Sequence, residues 1–382
     1  MGKRKKKLVI LGSTGSIGRN TCEVVRSLRE DFEIVGLAAR SEVEEMLQQI
    51  EEFGPRMVAL DDQEAADRLR QKAPSTTEVL SGVEGLRKVA ALEEADLVVC
   101  AVVGAAGLMP VIEALQCGKD IALATKEVLV IAGEIVTRLA REKGCQIIPV
   151  DSEHSALHQC LRGEDVGKVR RLVLTASGGP FFGDPDRDLS KVTPEEALQH
   201  PRWEMGNKIT VDSATLMNKA LEVIEAKWLF GIPLDRIDVI IHPESIIHSL
   251  VEFIDGSMMA QMCEPDMRIP IQYALTYPER MPRTVAPFDF RKNNRLSFHE
   301  ADSERFPCLR LGREAAKIEG TMPAVLNAAN EIVVEKFLKQ EIQFTDIPSW
   351  IEAAMKEHDP VANPTIEDIL ETDACVRRGK YL

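Results

Sequence analysis

The stretch Lys7-Leu-Val-Ile-Leu-Gly-Ser-Thr-Gly-Ser-Ile-Gly18 decides the fold of the N-terminal part of the chain. It starts as an apolar run typical of a buried strand and enters a predicted helix near residues 17–28, with glycines at positions 12, 15 and 18. Glycines at this spacing permit a tight turn, close approach of backbone N–H groups to a pyrophosphate, and close packing of helix on strand. The Gly-Lys-Ser/Thr ending of an ATP-hydrolysing phosphate loop is missing from the stretch. The pattern therefore predicts a dinucleotide site.

Short apolar runs and amphipathic segments alternate on both sides of this turn, from residue 7 to residue 150. Such alternation is typical of a parallel sheet flanked by helices. We predict strands near 7–11, 33–38, 57–60, 97–101, 120–124 and 146–150, and helices near 17–28, 43–53, 63–72, 108–117 and 127–143. This is a Rossmann-like nucleotide-binding domain.

The end of the second predicted strand indicates which dinucleotide is bound. An NAD site usually has Asp or Glu there to hold the ribose 2′-hydroxyl, whereas this chain reads Ala38-Ala-Arg40-Ser41. Arg40 and Ser41 suit a 2′-phosphate, so the sequence favours NADPH. The alternative is that Arg40 is simply exposed.

Two carboxylates follow the last predicted strand of this region, in Gln146-Ile-Ile-Pro-Val-Asp-Ser-Glu153. In an extended chain Asp151 and Glu153 would project to the same side, with Ser152 facing the other way. Paired carboxylates at a strand end suit a hard divalent cation such as magnesium or manganese. The alternative is that they begin and cap the next helix, near residues 155–161.

Three further segments carry side chains suited to binding. Thr125, Lys126 and Glu127 follow a strand at the edge where ligands collect in such folds, although a Lys-Glu pair is often only a surface ion pair. In Ser177-Gly-Gly-Pro, a hydroxyl and free N–H groups could hold a phosphate, or the segment could be an ordinary turn.

The segment 211–222 opens a predicted helix that continues to about residue 230. One face of this helix would carry Asn218, Lys219 and Glu222, with Ser213 near the helix start. The alternative there is an intrahelical salt bridge.

The segment His200-Pro-Arg-Trp-Glu-Met-Gly206 sits in a predicted loop. Large apolar side chains such as Trp203 and Met205 are expected to pack against another surface. The segment is therefore either a lid over a ligand or a loop that docks on the protein's own core. His154 and His158 have the spacing of a zinc pair but lack the Glu of a His-Glu-x-x-His motif, which favours packing or hydrogen bonding over zinc.

Composition restricts the class of protein further. The 47 basic and 61 acidic residues give a net charge of −14, which argues against nucleic-acid binding. The 8 cysteines show no Cys-x-x-Cys, which indicates buried thiols in the reducing cytoplasm. We expect a solvated tail at Lys3–Lys7 rather than a targeting peptide, and the longest uncharged run, 97–112, is too short to span a membrane.

The remaining pattern predicts three more parts. Strands near 237–241, 246–253 and 258–262 predict an antiparallel or mixed sheet, and a Pro-rich connection follows. Amphipathic helices near 309–318, 324–338, 347–358 and 366–377 predict a helical bundle. We therefore expect an NADPH-binding domain over 1–150, an α+β catalytic domain over 151–276 with a flexible flap near 198–207, a connecting segment over 277–308, and a C-terminal helical domain over 309–382.

Six motifs, in order along almost the whole chain, closely resemble the 1-deoxy-D-xylulose 5-phosphate reductoisomerase family. They are Gly-Ser-Thr-Gly-Ser-Ile-Gly at 12–18, Val-Asp-Ser-Glu-His-Ser-Ala at 150–156, Ser-Gly-Gly-Pro-Phe at 177–181, His-Pro-x-Trp-x-Met-Gly at 200–206, Asp-Ser-Ala-Thr-x-Met-Asn-Lys at 212–219 and Leu-Asn-Ala-Ala-Asn-Glu at 326–331. The resemblance implies an NADPH- and divalent-metal-dependent enzyme of the non-mevalonate isoprenoid pathway, acting on a small phosphorylated sugar. It also implies a homodimer.

The resemblance assigns roles to individual residues. Asp151, Glu153 and Glu222 would hold the metal, and Trp203 and Met205 would belong to the flap. The substrate phosphate would meet Ser177, Ser213, Asn218 and Lys219, with His200 nearby, while Ser152 and Lys126 would contact the oxygenated carbons. The cofactor would be lined by Thr14, Gly15, Ser16, Ile17, the turn Ala39, Arg40, Ser41 and Glu42, then Thr125, Glu127 and Gly206.

Two departures from the family pattern concern the cofactor. The family commonly has Gly followed by Lys or Ser where this chain has Arg40-Ser41, and Asn-Lys-Glu where it has Thr125-Lys126-Glu127. Two other functions are weighed against the family activity: another metal-using NADP oxidoreductase with the same fold, and a non-catalytic NADPH-binding regulator. The three carboxylates argue against a regulator, because a sensor has no need of them.

Overall fold

The computed structural model describes residues 4–203 and 205–381, so Lys3 of the predicted basic tail and Glu204 of the predicted flap lie outside the described residues. Its strands are β1 Lys6–Leu11, β2 Phe32–Ala39, β3 Met57–Leu60, β4 Glu78–Ser81, β5 Leu97–Cys100, β6 Asp120–Leu123, β7 Ile147–Pro149, β8 Val169–Ala176, β9 Ile237–Ile241, β10 Ile247–Phe253, β11 Met258–Met262 and β12 His299–Glu300.

The α-helices, numbered in the same way, alternate with the strands in the first part of the chain and dominate its end. They are α1 Ser16–Ser27, α2 Val43–Phe53, α3 Gln63–Lys72, α4 Gly82–Ala90, α5 Leu108–Gln116, α6 Glu127–Lys143, α7 Ser152–Cys160, α8 Pro194–Ala197, α9 Asn207–Ala214, α10 Met217–Phe230, α11 Arg268–Thr276, α12 Cys308–Ile318, α13 Met322–Leu338, α14 Asp346–Glu357 and α15 Ile366–Arg377. Within the described residues, no helix has the length and apolar character needed to cross a membrane.

The chain divides into two compact units. The first comprises the residues up to Val128, Glu134–Ser155 and Asp266–Pro287, and the second comprises Leu129–Gly133, Ala156–Pro265 and the residues from Phe288 onward. The four-part domain organisation drawn from the sequence stays a prediction.

The first unit is built on a seven-stranded parallel sheet in the order β4-β3-β2-β1-β5-β6-β7. Strand β1 is apolar from Leu8 to Leu11 and fully buried there, as expected of a central strand covered on both faces. The strand order reverses between β1 and β5, and in such sheets the crevice at this point, outside the carboxyl ends of the strands, is where ligands bind. The predicted Rossmann-like sheet is confirmed.

Helix α2 packs on this sheet through residues spaced as one helical face. The buried positions are Val43, Met46, Gln49 and Ile50, so a single amide side chain lies among apolar ones. Strand β4 and helices α4 and α11 are absent from the sequence-based prediction. Helix α11 packs on α1 of the same unit and contributes Ile271 and Tyr273 to its core.

The second unit contains a mixed five-stranded sheet in the order β11-β10-β8-β9-β12, in which β8 and β9 are parallel and the other pairs antiparallel. Leu172, Leu174 and Val251 pack on one face of the sheet with Val223 and Ala226 of α10. The predicted mixed sheet is confirmed, and so are the C-terminal helices, in which α13 packs against α12, α14 and α15.

Two local predictions are wrong. Strand β7 ends at Pro149, and Glu153 lies in the first turn of α7, so Asp151 and Glu153 do not share one face of an extended strand. The helix predicted from residue 211 to about 230 is two helices, because Leu216 between them has a left-handed backbone with φ of 60°.

Helices α10 and α12 approach closely at Gly312, where an added Cβ would lie 2.5 Å from the Cβ of Ala220. We expect Gly312→Ala to lower the free energy of unfolding by up to about 2 kcal/mol, because overpacking costs about 1–3 kcal/mol and the gain in helix propensity returns only about 1 kcal/mol. Calorimetric melting measures the change. Gly183→Ala is the control, since no heavy atom lies within 4 Å of its added Cβ; equal melting temperatures for the two variants would contradict the packing argument.

Candidate active site

The glycine loop after β1 has the geometry of a phosphate-binding turn. Gly12 has a φ of 85°, and both Gly12 and Ser13 donate their N–H groups to the carbonyl of Ala38, at 2.8 and 2.9 Å. A Cβ on Gly18 would lie 2.2 Å from the carbonyl oxygen of Gly12, so only glycine allows the helix this close. Helix α1 begins after Gly15 with no side-chain cap, which leaves its positive N-terminus available to an anion.

The turn after β2 is tied to the glycine loop through Glu42. Its carboxylate accepts from Thr14 Oγ1 at 3.0 Å, from the backbone N–H of Ser41 at 3.2 Å and from Ser41 Oγ at 3.1 Å. Burial opposes ionisation of Glu42, but these hydrogen bonds outweigh it and lower its pKa. Arg40 is exposed beside them and forms no ion pair within residues 4–203 and 205–381. The side chains predicted to meet the cofactor's 2′-phosphate therefore lie next to the loop predicted to meet its pyrophosphate.

A third set of side chains in the first unit lies after β6. Thr125 Oγ1 donates to the carbonyl of Val102 at 2.6 Å, which anchors the segment at the end of the neighbouring strand. Lys126 is 5% exposed, and its Nζ lies 2.5 Å from Oδ2 of Asp151. Glu127 begins α6 and is also buried. A buried ammonium paired with a carboxylate is unlike the exposed ion pair weighed as the alternative.

Asp151, Ser152 and Glu153 form a compact turn at the start of α7. The backbone carbonyl of Asp151 accepts from Ser155 N at 2.8 Å, so the residue does begin the helix. Its Oδ1 accepts from Ser152 N at 3.0 Å, and Ser152 Oγ donates to Glu153 Oε2 at 2.5 Å. The turn therefore both begins the helix and presents carboxylate oxygens, which are the ligands that hard divalent cations take.

His154 and His158 have different surroundings on α7. His154 Nδ1 lies 3.9 Å from Asp151 Oδ2, and burial lowers the pKa of His158 to about 4. His154 is fully buried and His158 half-buried, as expected of the packing role favoured over zinc.

In the second unit, Ser177 and His200 form a hydrogen-bonded pair. His200 Nδ1 accepts backbone N–H groups from Arg202 at 3.1 Å and Trp203 at 2.9 Å, so the ring proton must be on Nε2. Nε2 lies 2.9 Å from Ser177 Oγ and therefore donates to it. Gly179 N also donates to Ser177 Oγ, at 3.2 Å. With both lone pairs occupied, the Ser177 hydroxyl is left as a donor.

The predicted phosphate-binding segments lie beside each other. Gly178 and Gly179 have φ of 85° and 69°, and a Cβ on Gly179 would lie 2.8 Å from the carbonyl oxygen of Ser213. The Ser177 turn thus packs directly on the end of α9. The left-handed Leu216 then starts α10, whose first turns carry Asn218, Lys219 and Glu222.

The carboxylate of Glu222 is fully buried and is held by its own helix. Asn218 Nδ2 donates to Oε1 at 2.6 Å, and the ammonium of Lys219 contacts Oε2. The intrahelical pair weighed as the alternative is present. Lys219 thus supplies the compensating cation that a fully buried carboxylate requires. The oxygens of Glu222 are also of the type that a hard divalent cation binds.

The predicted flap residues lie on either side of the undescribed Glu204. The ring of Trp203 lies 6.3 Å from that of the buried His248, and Met205 is half-buried. Gly206 is the N-cap of α9, and a Cβ added there would meet no heavy atom within 4 Å. His248 was not singled out in the sequence, since a histidine inside a strand gives no signal of its own.

The sequence analysis also did not identify a polar network around Asp212, the residue that precedes Ser213. Asp212 is 1% exposed, accepts from Asn330 Nδ2 at 2.8 Å, and pairs with Lys208 Nζ at 2.9 Å. Asp212 and Asn330 stand in two quoted motifs, 212–219 and 326–331, and the structure now connects those motifs.

Comparison with known proteins gives the same family along the chain. Residues 8–133 match the family model of 1-deoxy-D-xylulose 5-phosphate reductoisomerase, and residues 147–230 and 262–379 match models of its C-terminal domains. The enzymes of that name from Thermoanaerobacter pseudethanolicus and Caldanaerobacter subterraneus are each 56% identical, covering 97% of both chains in the first case and 99% and 100% in the second.

Solved structures agree with the sequence relatives. The Zymomonas mobilis enzyme in complex with NADPH is 39% identical, with a TM-score of 0.92 over 98% of each chain. A reductoisomerase in complex with NADPH, fosmidomycin and magnesium is 40% identical, with a TM-score of 0.92 over 98% of this chain and 97% of that one. The chain therefore belongs to the 1-deoxy-D-xylulose 5-phosphate reductoisomerase family.

Proposed function

We propose that this chain converts 1-deoxy-D-xylulose 5-phosphate to 2-C-methyl-D-erythritol 4-phosphate by rearrangement and NADPH-dependent reduction, with a divalent metal, in the non-mevalonate isoprenoid pathway. The observation that carries this conclusion is identity of 56% over nearly the whole length of relatives named for that activity.

The cofactor is NADPH, as in the solved complexes of two relatives. The uncapped α1 N-terminus and the glycine loop offer N–H groups to the pyrophosphate, while Arg40 offers a cation to the 2′-phosphate. The Ser41 hydroxyl, which donates to Glu42, would exchange that acceptor for a phosphate oxygen. We assign the cofactor contacts to Thr14, Gly15, Ser16, Ile17, Arg40, Ser41, Glu42, Thr125, Glu127 and Gly206.

We take Asp151, Glu153 and Glu222 as the metal ligands. These side chains fit a hard divalent ion because they offer only carboxylate oxygens, and two of them already face an ammonium: Lys126 at Asp151 and Lys219 at Glu222. A bound magnesium or manganese ion would polarise neighbouring ketone and hydroxyl oxygens of the substrate. Lys126 and Ser152 would orient those oxygens.

The substrate phosphate would bind at Ser177, Ser213, Asn218 and Lys219. The proton on His200 Nε2 is directed at Ser177 Oγ, so the serine hydroxyl proton is free to be donated to a phosphate oxygen. His200 would therefore act beside the phosphate as a neutral ring that sets the donor direction of Ser177. The same ring holds the backbone of the flap segment at Arg202 and Trp203.

Binding the remote phosphate would close the flap over the reacting carbons. Trp203 and Met205 would then exclude water from a reactive aldehyde before hydride transfer. Closure would also explain why large apolar side chains occupy an otherwise polar segment.

We further propose a cytoplasmic homodimer. Strand β11 is an edge of the mixed sheet, and its Met258 and Met259 are 49% and 43% exposed, with Ile254 of the adjoining turn 63% exposed. An exposed apolar edge is normally covered, and a second copy of the chain is the occupant that also satisfies its backbone groups. All eight cysteines are free thiols, which is consistent with a reducing compartment. The expectation that they are buried is correct only for Cys22, Cys100, Cys160 and Cys308, since Cys117 is exposed and the other three are half-buried.

The first test is an activity assay. It follows the loss of NADPH absorbance in the presence of the deoxy-ketose phosphate, first with magnesium or manganese and then with a chelator.

Glu222→Gln should abolish turnover and leave NADPH binding nearly intact, because it removes a proposed metal ligand from the second unit while the glycine loop is in the first. Glu335→Gln, on an exposed residue of α13, is the control. Loss of NADPH binding in Glu222→Gln with normal metal affinity would contradict the assignment. NADPH binding by the wild-type chain without oxidation would favour the regulatory alternative.

The second test concerns pH. Burial lowers the pKa of His200 below its ordinary value of 6.5, so the neutral ring is fully favoured above 6.5 and its protonation costs stability as the pH falls below that value. Protonated Nδ1 cannot accept the two backbone N–H groups, so the flap turn should loosen in acid. In protein labelled with 5-fluorotryptophan, the fluorine resonance of Trp203 should shift below pH 6.5 while those of Trp228 and Trp350 stay fixed. A stationary Trp203 signal, or equal movement of all three tryptophan signals, would contradict the prediction that protonation of His200 loosens the flap turn.

The third test measures oligomeric state by light scattering. The wild-type chain should have twice the 42.4 kDa mass of one chain, and Met259→Lys should shift it towards the monomer because a buried ammonium is costly. Phe290→Lys, at a side chain that is 66% exposed, is the control. A monomeric wild-type protein, or a Met259→Lys dimer as stable as the control, would exclude this interface.

A further inference from the structure

Helix α2 buries one amide, Gln49, which is 5% exposed among the apolar residues Val43, Met46 and Ile50. A long polar side chain at a core position costs both side-chain entropy and desolvation. A hydrogen bond from the Gln49 amide to the glycine loop offsets part of that cost.

Gln49 Nε2 donates to the backbone carbonyl oxygen of Ser13 at 3.0 Å, and both residues are buried. The orientation of the amide is fixed by chemistry, because rotating it would place Oε1 against another acceptor. The hydrogen bond joins α2 to a loop position 36 residues earlier in the chain. Gln49 thus holds the carbonyl of Ser13 towards the core.

Holding that carbonyl also orients the next N–H group. In a trans peptide the C=O of one residue and the N–H of the next point in opposite directions. With the Ser13 oxygen directed at Gln49, the N–H of Thr14 is directed away from α2, and it has no acceptor among residues 4–203 and 205–381. The N–H groups of Gly12 and Ser13 are by contrast already donated to Ala38.

We propose that Gln49 is a positioning residue for the cofactor's pyrophosphate, acting through the Ser13–Thr14 peptide to keep the N–H of Thr14 directed at the anion. The proposal rests on the NADPH-dependent function stated above. If the peptide rotated, it would present a carbonyl oxygen to the phosphates and turn an attraction into a repulsion.

Two substitutions of Gln49 remove this hydrogen bond in different ways. Oε1 of Gln49 and the hydroxyl of Ser13 are buried without a hydrogen-bond partner in the described chain. Methionine has a similar length and volume but no donor, so Gln49→Met keeps the packing of α2 and removes only the hydrogen bond. Asparagine keeps the amide but is too short to reach, so Gln49→Asn is a second route to the same loss.

The test compares two ligands by fluorescence or calorimetric titration: NADPH, and adenosine 2′-monophosphate, which has the 2′-phosphate but no pyrophosphate. We expect Gln49→Met and Gln49→Asn to bind NADPH about tenfold more weakly, the effect of one hydrogen bond of about 1.4 kcal/mol. Affinity for adenosine 2′-monophosphate and kcat at saturating NADPH should be unchanged. Gln48→Met, on the exposed face of the same helix, is the matched control and should behave as the wild type.

A merely structural role predicts a different result, because damage to α2 would weaken both ligands together. Equal NADPH affinity in the folded variants and the wild type would overturn the proposal, as would parallel loss of both ligands. Failure of the wild-type chain to bind NADPH would overturn the cofactor assignment and the proposal together. If Gln49→Met does not fold, Gln49→Asn decides by the same criteria.

Discussion

The first unit depends on the close approach of α1 to the turn after β1. The helix can begin directly at the loop only because position 18 lacks a Cβ, which would lie 2.2 Å from the carbonyl oxygen of Gly12. This approach brings the helix N-terminus to the carboxyl end of the central strand, where the strand order reverses. The loop, the Arg40–Glu42 turn and the segment at Thr125 all end at that edge because parallel strands present their carboxyl ends together.

The second unit depends on a different constraint, the burial of charge. Glu222 and Asp212 are almost completely removed from solvent, and each has a lysine and an amide as partners. Buried charges of this kind contribute little net stability, because desolvation cancels most of the attraction. Folding stability alone therefore does not account for these charges next to Ser213 and in the first turns of α10, and the proposed substrate and metal site does.

The sequence predicted the parallel sheet correctly because central strands such as β1 are fully apolar and the helices between them are strongly amphipathic. It missed β4, a four-residue strand with only Val79 and Leu80 as apolar residues, because so short a pattern has no clear period. It missed the break at Leu216, since a leucine in a left-handed conformation is imposed by packing and not by local preference. The two carboxylates at Asp151 and Glu153 suggested a cation site. The predicted extended arrangement of these residues was wrong, because the strand ends at Pro149 and the helix begins at Ser152.

The unequal burial of the thiols has a practical consequence. Burial raises the pKa of Cys22 and Cys308 to about 12 and of Cys100 and Cys160 to about 11, so their reactive thiolate forms are scarce near neutral pH. Cys117 is exposed just after α5, with its chain neighbour Gly118 in an open turn. A maleimide reagent should therefore modify Cys117 first. A spectroscopic probe attached there would report on the first unit without any engineered cysteine.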